Sequence, residues 1–249
     1  MKLTSKLLFI LSIILFASCQ DELLQTEEQA VESKNKNSQA YFEYKNSIQV
    51  GGEGASEITA FCPQTNKLFI VNVESTEISG YDISDVNLPV QEASIPVMGG
   101  SPNSVAVHNG KLAVAVEATT KQLPGYIRVY DTESQLLQES YMVGSLPDMV
   151  TFSPNGRFIV TANEGEPNDL YTVDPEGSIS IITTATGQVN TLTFNGFNSQ
   201  EAELKAQGLR VFGPGASLAQ DLEPEYVTIS DNSSTAWVSL QENNGMARV

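Results

Sequence analysis

The sequence predicts an all-β protein, a β-propeller of four-stranded blades, and three observations carry that prediction. The first is an internal repeat. "SEITAFCPQTNKLFIVNVES", "PNSVAVHNGKLAVAVEA", "PDMVTFSPNGRFIVTANEG" and "PEYVTISDNSSTAWVSLQEN" align with one another. With Glu57, Asn103, Asp148 and Glu225 taken as equivalent, successive units begin 46, 45 and 77 positions apart. The second observation is the pattern inside each unit: a short alternating strand, a turn rich in Pro, Asn, Gly or Ser, and a second alternating strand. The third is how little helical pattern there is: only "SQEAELKAQ", closed by Gly208, has it. A β-sandwich is the remaining competitor, and it does not call for a constant four-strand period.

Taken in order, residues 1–18 form a leader. Lys2 and Lys6 precede "LLFILSIILFA", an apolar run short for a bilayer span. Ala17, Ser18 and Cys19 resemble the lipobox of a bacterial lipoprotein, which makes Cys19 the lipidated mature N-terminus; an ordinary signal peptide cut near Ala17 is the alternative. The "CQDE" that follows resembles the surface-export signal of Bacteroidetes lipoproteins. Residues 19–40 are polar, without aromatics, and read as a flexible tether. The propeller part is 41–249, opening with "YFEYKNSIQV" as a single strand ahead of the first blade.

Blades are expected at about 55–98, 102–143, 147–195 and 224–249, with an insertion at 196–223. "EISGYDIS", "GYIRVYDTES" and "GSISIITTATG" supply third strands, and "VQEASIPV", "LLQESYMV" and "QVNTLTFN" supply outer ones. The last unit is still in its third strand at "ENNGMARV". The expectation is therefore about three and a half blades, a fragment of a ring of seven; a half-propeller that dimerises is the alternative.

Composition narrows the partners. The 249 residues carry 13 Lys and Arg against 30 Asp and Glu, a net charge of −17, and losing the leader takes it to about −19. Such a surface repels nucleic acid and anionic lipid and gathers cations, so the membrane is expected to be met only through the lipid. Cys62 is the one cysteine besides Cys19, which leaves no internal disulfide, and it reads as structural. His108 is the only histidine and sits in the turn "HNGK", excluding chemistry that needs paired histidines. Trp237 and the strand tyrosines read as core.

The acids follow the repeat. In a blade, the start of the innermost strand and the end of the second lie together at one mouth of the channel. Glu57, Asn103, Asp148 and Glu225 occupy the first position; Glu74, Glu117, Glu164 and Glu242 occupy the second. "ANEGEPNDLYTVDPEGS" then puts Glu164, Glu166, Asp169, Asp174 and Glu176 into one loop without a lysine or arginine. Asp221, Glu223 and Glu225 approach from "DLEPE". Crowded carboxylates repel unless protonated or neutralised, and calcium, which takes six to eight oxygens, is the expected counter-ion. The metal candidates are Glu74, Glu117, Glu164, Glu166, Asp169, Asp174, Glu176, Glu225 and Glu242; Asp148, Asp221, Glu223 and Arg210 are candidates for holding a ligand. Bracing of blades through backbone amides and plain solvated surface stay open beside the cation reading. Arg210 precedes "FGPGAS", whose glycines could bare amides to an anion or simply form turns.

The stretches "GSLPDMVTFSPNGRFIVTANEGEPNDLYTVDPEGSISII" and "LRVFGPGASLAQDLEPEYVTISDNSSTAWVSLQENN" resemble the choice-of-anchor I family of secreted or surface-attached bacterial propellers. The resemblance runs from about residue 45 onward. It implies a propeller, extracellular placement and a variable attachment, here a lipid at the outer membrane; some members are labelled mesenchyme-specific cell surface glycoprotein or alkaline phosphatase. It brings no catalytic residue. Three functions are consistent with this: a surface propeller binding an extracellular ligand or cell-surface partner through a calcium-loaded acidic face, a calcium-dependent phosphate-ester hydrolase, or a fragment without function of its own. The hydrolase wants basic groups for phosphate, and only Arg210 stands near the face, Arg157 being in the far turn "SPNGR".

Overall fold

A computed structural model describes residues 42–249, together with the backbone of two short strands before them. It divides into two compact units, Met1–Tyr44 and Lys45–Val249. The leader, the lipidation site at Cys19 and most of the tether lie outside the described residues. In the first unit β1 (Ser33–Asn35) and β2 (Ser38–Ala40) pair antiparallel, Ser33 opposite Ala40. This stretch reads in sequence as tether, because three residue pairs are too few for alternation to show.

The second unit holds four antiparallel sheets in chain order. The first contains β3 (Thr59–Cys62), β4 (Lys67–Asn72) and β5 (Glu77–Asp82), and its outer edge is shared by β6 (Val90–Gln91) and β7 (Ile95–Pro96), both paired with β5. The second runs β8 (Pro102–His108), β9 (Lys111–Val116), β10 (Pro124–Asp131), β11 (Leu137–Ser145). The third runs β12 (Pro147–Phe152), β13 (Phe158–Asn163), β14 (Ser178–Thr183), β15 (Gln188–Thr193). The fourth has β16 (Tyr226–Ile229), β17 (Ala236–Leu240) and β18 (Gly245–Arg248). The first strands pack on one another in sequence, β3 on β8, β8 on β12 and β12 on β16, as blades do around an axis. The predicted all-β, propeller-like architecture is what the chain adopts.

Each middle strand shows why. Along β9, Leu112, Val114 and Val116 enter the core shared with the first blade, where Phe69, Ile78 and Val105 lie. Ala113 and Ala115 enter the core shared with the third, with Ile127, Val150 and Ile159. A strand buried on both faces reads as a continuous apolar run, and its period of two assigns large residues to one neighbour and small ones to the other. The third core joins blades three and four through Val160, Ala162, Val227, Val238 and Leu240.

The insertion folds onto that third core. A 3-10 turn at Asn195–Gln200 leads into α1 (Glu201–Ala206), the segment with helical pattern, and α2 (Leu218–Asp221) follows. Ser217 and Gln220 close a reciprocal capping box on α2. Leu218, Ala219 and Leu222 are buried between the two blades.

Two expectations change. Residues 42–50 hold no strand, and side-chain bonds stand where ladder bonds were expected: Asn46 Nδ2 donates to Asn87 O and Asn72 Nδ2 to Val50 O. Trp237 is not core. It is 41% exposed, because β17 turns Val238 inward and Trp237 outward beneath the Arg248 guanidinium. Tyr81 and Tyr130 are buried as expected, whereas Tyr226 is exposed.

Candidate functional site

The site begins with strand pairing. Pro147 opposes Asn163, so the start of β12 lies beside the end of β13, and a register shift between Pro147 and Met149 leaves Asp148 bulged out of the ladder. Glu164 comes next along the chain, its N–H donating to Leu146 O at 2.8 Å. The same shift recurs between Pro102 and Ser104, bulging Asn103 beside the end of β9. Bulges re-aim side chains at strand ends, and here they turn the first residue of a blade toward the mouth.

The fields the acids exert show which of them converge. The Asp148 carboxyl is pushed above its ordinary range by burial and then by Glu57, Glu117 and Glu166, with Lys121 opposing. Glu164 is pushed up to about 8 by burial, followed by Asp148, Glu166, Glu223 and Glu225. Glu223 likewise reaches about 8 through burial and then the Glu242 carboxyl, which faces it within hydrogen-bond reach. Glu225 is raised by burial, Asp148 and Glu242. Acids from all four blades and from the insertion therefore share one field. Lys121 pairs with Glu166 at 3.6 Å, and both side chains are about half exposed.

Other candidates are held differently. Glu74 accepts the Gly52 N–H at 2.9 Å, which ties β4 to the turn before the first blade. Asn103 Nδ2 donates to Pro147 O at 3.1 Å and braces blade two against blade three. Glu176 accepts Asn195 Nδ2 at 2.6 Å. Asp221 is buried, and its carboxylate takes the N–H groups of Phe212 and Gly213. The bared amides of "FGPGAS" are thus filled by the chain's own anion. Arg210 is exposed, and its guanidinium reaches Gln241 O at 3.4 Å. Arg157 lies over the Phe158 ring.

The acidic loop is a built object. Gly165 adopts φ +76°, and its missing Cβ lets the loop's return at Glu176 and Gly177 pass close by. Asn168 Oδ1 accepts the N–H groups of Thr172 and Val173, and Asn168 N–H donates to Val173 O. Gly177 N–H reaches Ala219 O at 3.2 Å, and Gln220 Nε2 reaches Asp174 O at 2.8 Å, joining loop to insertion. Between them opens a cavity of about 190 Å³, lined by Glu166, Asp169, Tyr171, Asp174, Phe212, Glu223 and Glu242 among others. Asp174 is raised by burial and by Asp221, and its Oδ1 is shielded without a hydrogen-bond partner. Among the described residues, no three of His, Cys, Asp and Glu stand as a group able to grip a single metal ion.

Sequence reasoning missed Asn243, Tyr171, Phe212 and Lys121. Asn243 is fully buried; its Nδ2 donates to Arg210 O and Asp221 O, and its Oδ1 accepts the Glu223 N–H. In "ENNG" it reads only as a turn residue, so no sequence signal was available.

Fold and acidic mouth together define a class, a β-propeller-like protein with an acidic face. The chain belongs to the choice-of-anchor I family, whose domain profile matches residues 57–249. Among curated proteins none matches significantly. A putative 6-phosphogluconolactonase from Bacteroides uniformis ATCC 8492 is similar in structure at TM-score 0.52 and 12% identity, over 84% of this chain and 55% of that one. Hydrazine synthase of Kuenenia stuttgartiensis matches at TM-score 0.42 and 16% identity, over 78% of this chain and 64% of that one. The former likeness shows the fold alone. The chain spans about 64% and 55% of these structures' lengths.

Proposed function

We propose that this chain is the binding propeller of a lipoprotein, attached through Cys19 at the outer membrane, on the outside of the cell. Its acidic mouth holds a positively charged extracellular ligand or cell-surface partner. One observation carries the reading: Glu164 and Glu223 are raised to about 8 within a field of further acids, and Lys121 offsets that field only at Asp148. An arrangement that repels itself is relieved by an incoming cation. Calcium suits oxygen donors of this kind and is proposed as a loosely held counter-ion at the mouth, since the described residues build no tight cage. Binding is favoured over hydrolysis of phosphate esters because Arg210 is turned to Gln241 and Arg157 to Phe158, leaving neither to hold a phosphate.

The test is thermal melting of the full-length chain with calcium, magnesium or chelator, beside a phosphate-ester assay. A calcium-dependent rise in melting temperature without turnover is expected. A melting curve indifferent to divalent ions would remove the calcium proposal, and turnover would replace binding with catalysis.

A further inference from the structure

The reading of the acidic face as a binding face leaves open what chemistry it selects, and the cavity between loop 164–176 and the insertion is specific enough to answer. Glu223 lines it and is only 9% exposed, and the partner its side chain meets is another acid, the Glu242 carboxyl within hydrogen-bond reach. Asp174 Oδ1, in the same wall, is also shielded and unpartnered. A buried acceptor without a donor is costly, so Asp174 Oδ1 lacks an N–H or O–H, while Glu223 and Glu242 are held together only by a shared proton. Water could supply it, but water brings no charge to offset two facing carboxyls.

A tightly coordinated metal ion does not answer the geometry of this cavity either. It would need several oxygens within about 2.3–2.6 Å of one point. The acids are instead spread around a cavity of about 190 Å³, and no three form an ion-gripping group among the described residues. The remaining wall is aromatic. Tyr171 is 47% exposed and Phe212 57%, each carried on a segment braced by backbone bonds. Aromatic rings attract organic cations, and carboxylates add charge-assisted hydrogen bonds where the cation has N–H groups.

We propose that this cavity binds an organic cation bearing N–H donors, a primary ammonium or guanidinium on an apolar stem. The head sits between Glu223, Glu242 and Asp174, and the stem passes Tyr171 and Phe212. Two sources carry that chemistry, a diffusible alkylamine and a lysine or arginine side chain of another protein.

Calorimetric titration of the full-length chain tests it with butylammonium, butylguanidinium, N-acetyl-lysine amide and tetramethylammonium. Saturable binding is expected for the first three, with none for tetramethylammonium, which offers no N–H. Tighter binding of the lysine derivative than of butylammonium assigns a protein side chain as the source, and the reverse order assigns a free amine. Glu223→Gln and Tyr171→Ala should each weaken binding at least fivefold. Should Glu223→Gln fail to fold, Phe212→Ala, at an exposed position, takes its place. Equal binding of tetramethylammonium, absence of saturation, or variants that bind like the parent would overturn the proposal. A protein that melts higher with calcium but ignores these amines keeps the acidic binding face and loses this inference. One indifferent to both loses each.

Discussion

Raising the pH should loosen this protein across a range where most proteins are steady. Glu164 and Glu223 are held near 8 in the folded chain against an ordinary value of 4.5. Between those values the folded state keeps protons that the unfolded state releases. Stability is therefore complete below about 4.5 and is lost as pH climbs through 8. At about 1.4 kcal/mol per tenfold, the limit for either group is close to 5 kcal/mol. Partial solvent access and shared neighbours reduce this, and about 3 kcal/mol for the two together is a working figure. For a chain of this size that is roughly 6–12 °C in melting temperature. The assay is thermal unfolding from pH 5 to 9 in chelator, on the parent, Glu164→Gln, Glu223→Gln and the double variant, with His108→Gln as control. The parent should melt progressively lower as pH rises; each single variant should flatten the slope by about half, and the double variant should be nearly flat and more stable than the parent at pH 9. A parent indifferent to pH, or variants that keep the full slope, would refute the reasoning.

Three further substitutions test how the site is supported. Gly177→Ala places a methyl within van der Waals overlap of Leu222 O and close to Glu164 O, so the insertion must shift; a loss of about 2–3 kcal/mol and faster proteolysis within 209–223 are expected. Asp221→Ala strands the Phe212 and Gly213 N–H groups, costing about 2–4 kcal/mol in denaturant unfolding. Leu112→Ala should cost about 2–5 kcal/mol, whereas Ala113→Leu, one residue along, should cost about 1–3 kcal/mol by overpacking. Equal tolerance of leucine at both positions would contradict the assignment of β9's two faces.

What the sequence makes legible follows from what is periodic. The strands of "KLAVAVEA" or "GRFIVTAN" announce themselves because burial on both faces calls for a mostly apolar run, and the blade step locks Asp148 to Glu164 and Glu225 to Glu242. Non-periodic geometry is hidden. Glu74 shares the register of Glu164 but is captured by Gly52 N–H, a turn whose path no repeat dictates. Asp221 reads as a free ligand and is consumed by amides nine residues away, because the insertion doubles back. Trp237 alternates as core would, yet β17 presents it outward. Tyr171 and Phe212 meet across one cavity from two separate segments, and nothing local to either foretells it.

That the mouth survives its own repulsion says where its support comes from. Leu218, Ala219 and Leu222 are buried between blades three and four, immediately before Glu223. The hydrophobic core thus carries Glu223 and Glu225 to a place their charge disfavours, and Asn243 fixes the Glu223 backbone there. A surface serving solubility alone would let such acids swing into water, as Glu203 does on α1. Anchoring carboxylates by buried leucine and a saturated asparagine keeps them from relaxing that way. The electrostatic cost is then relieved by what arrives from solution, a proton at low pH or a cation above it, and this coupling joins the stability of the insertion to occupation of the mouth.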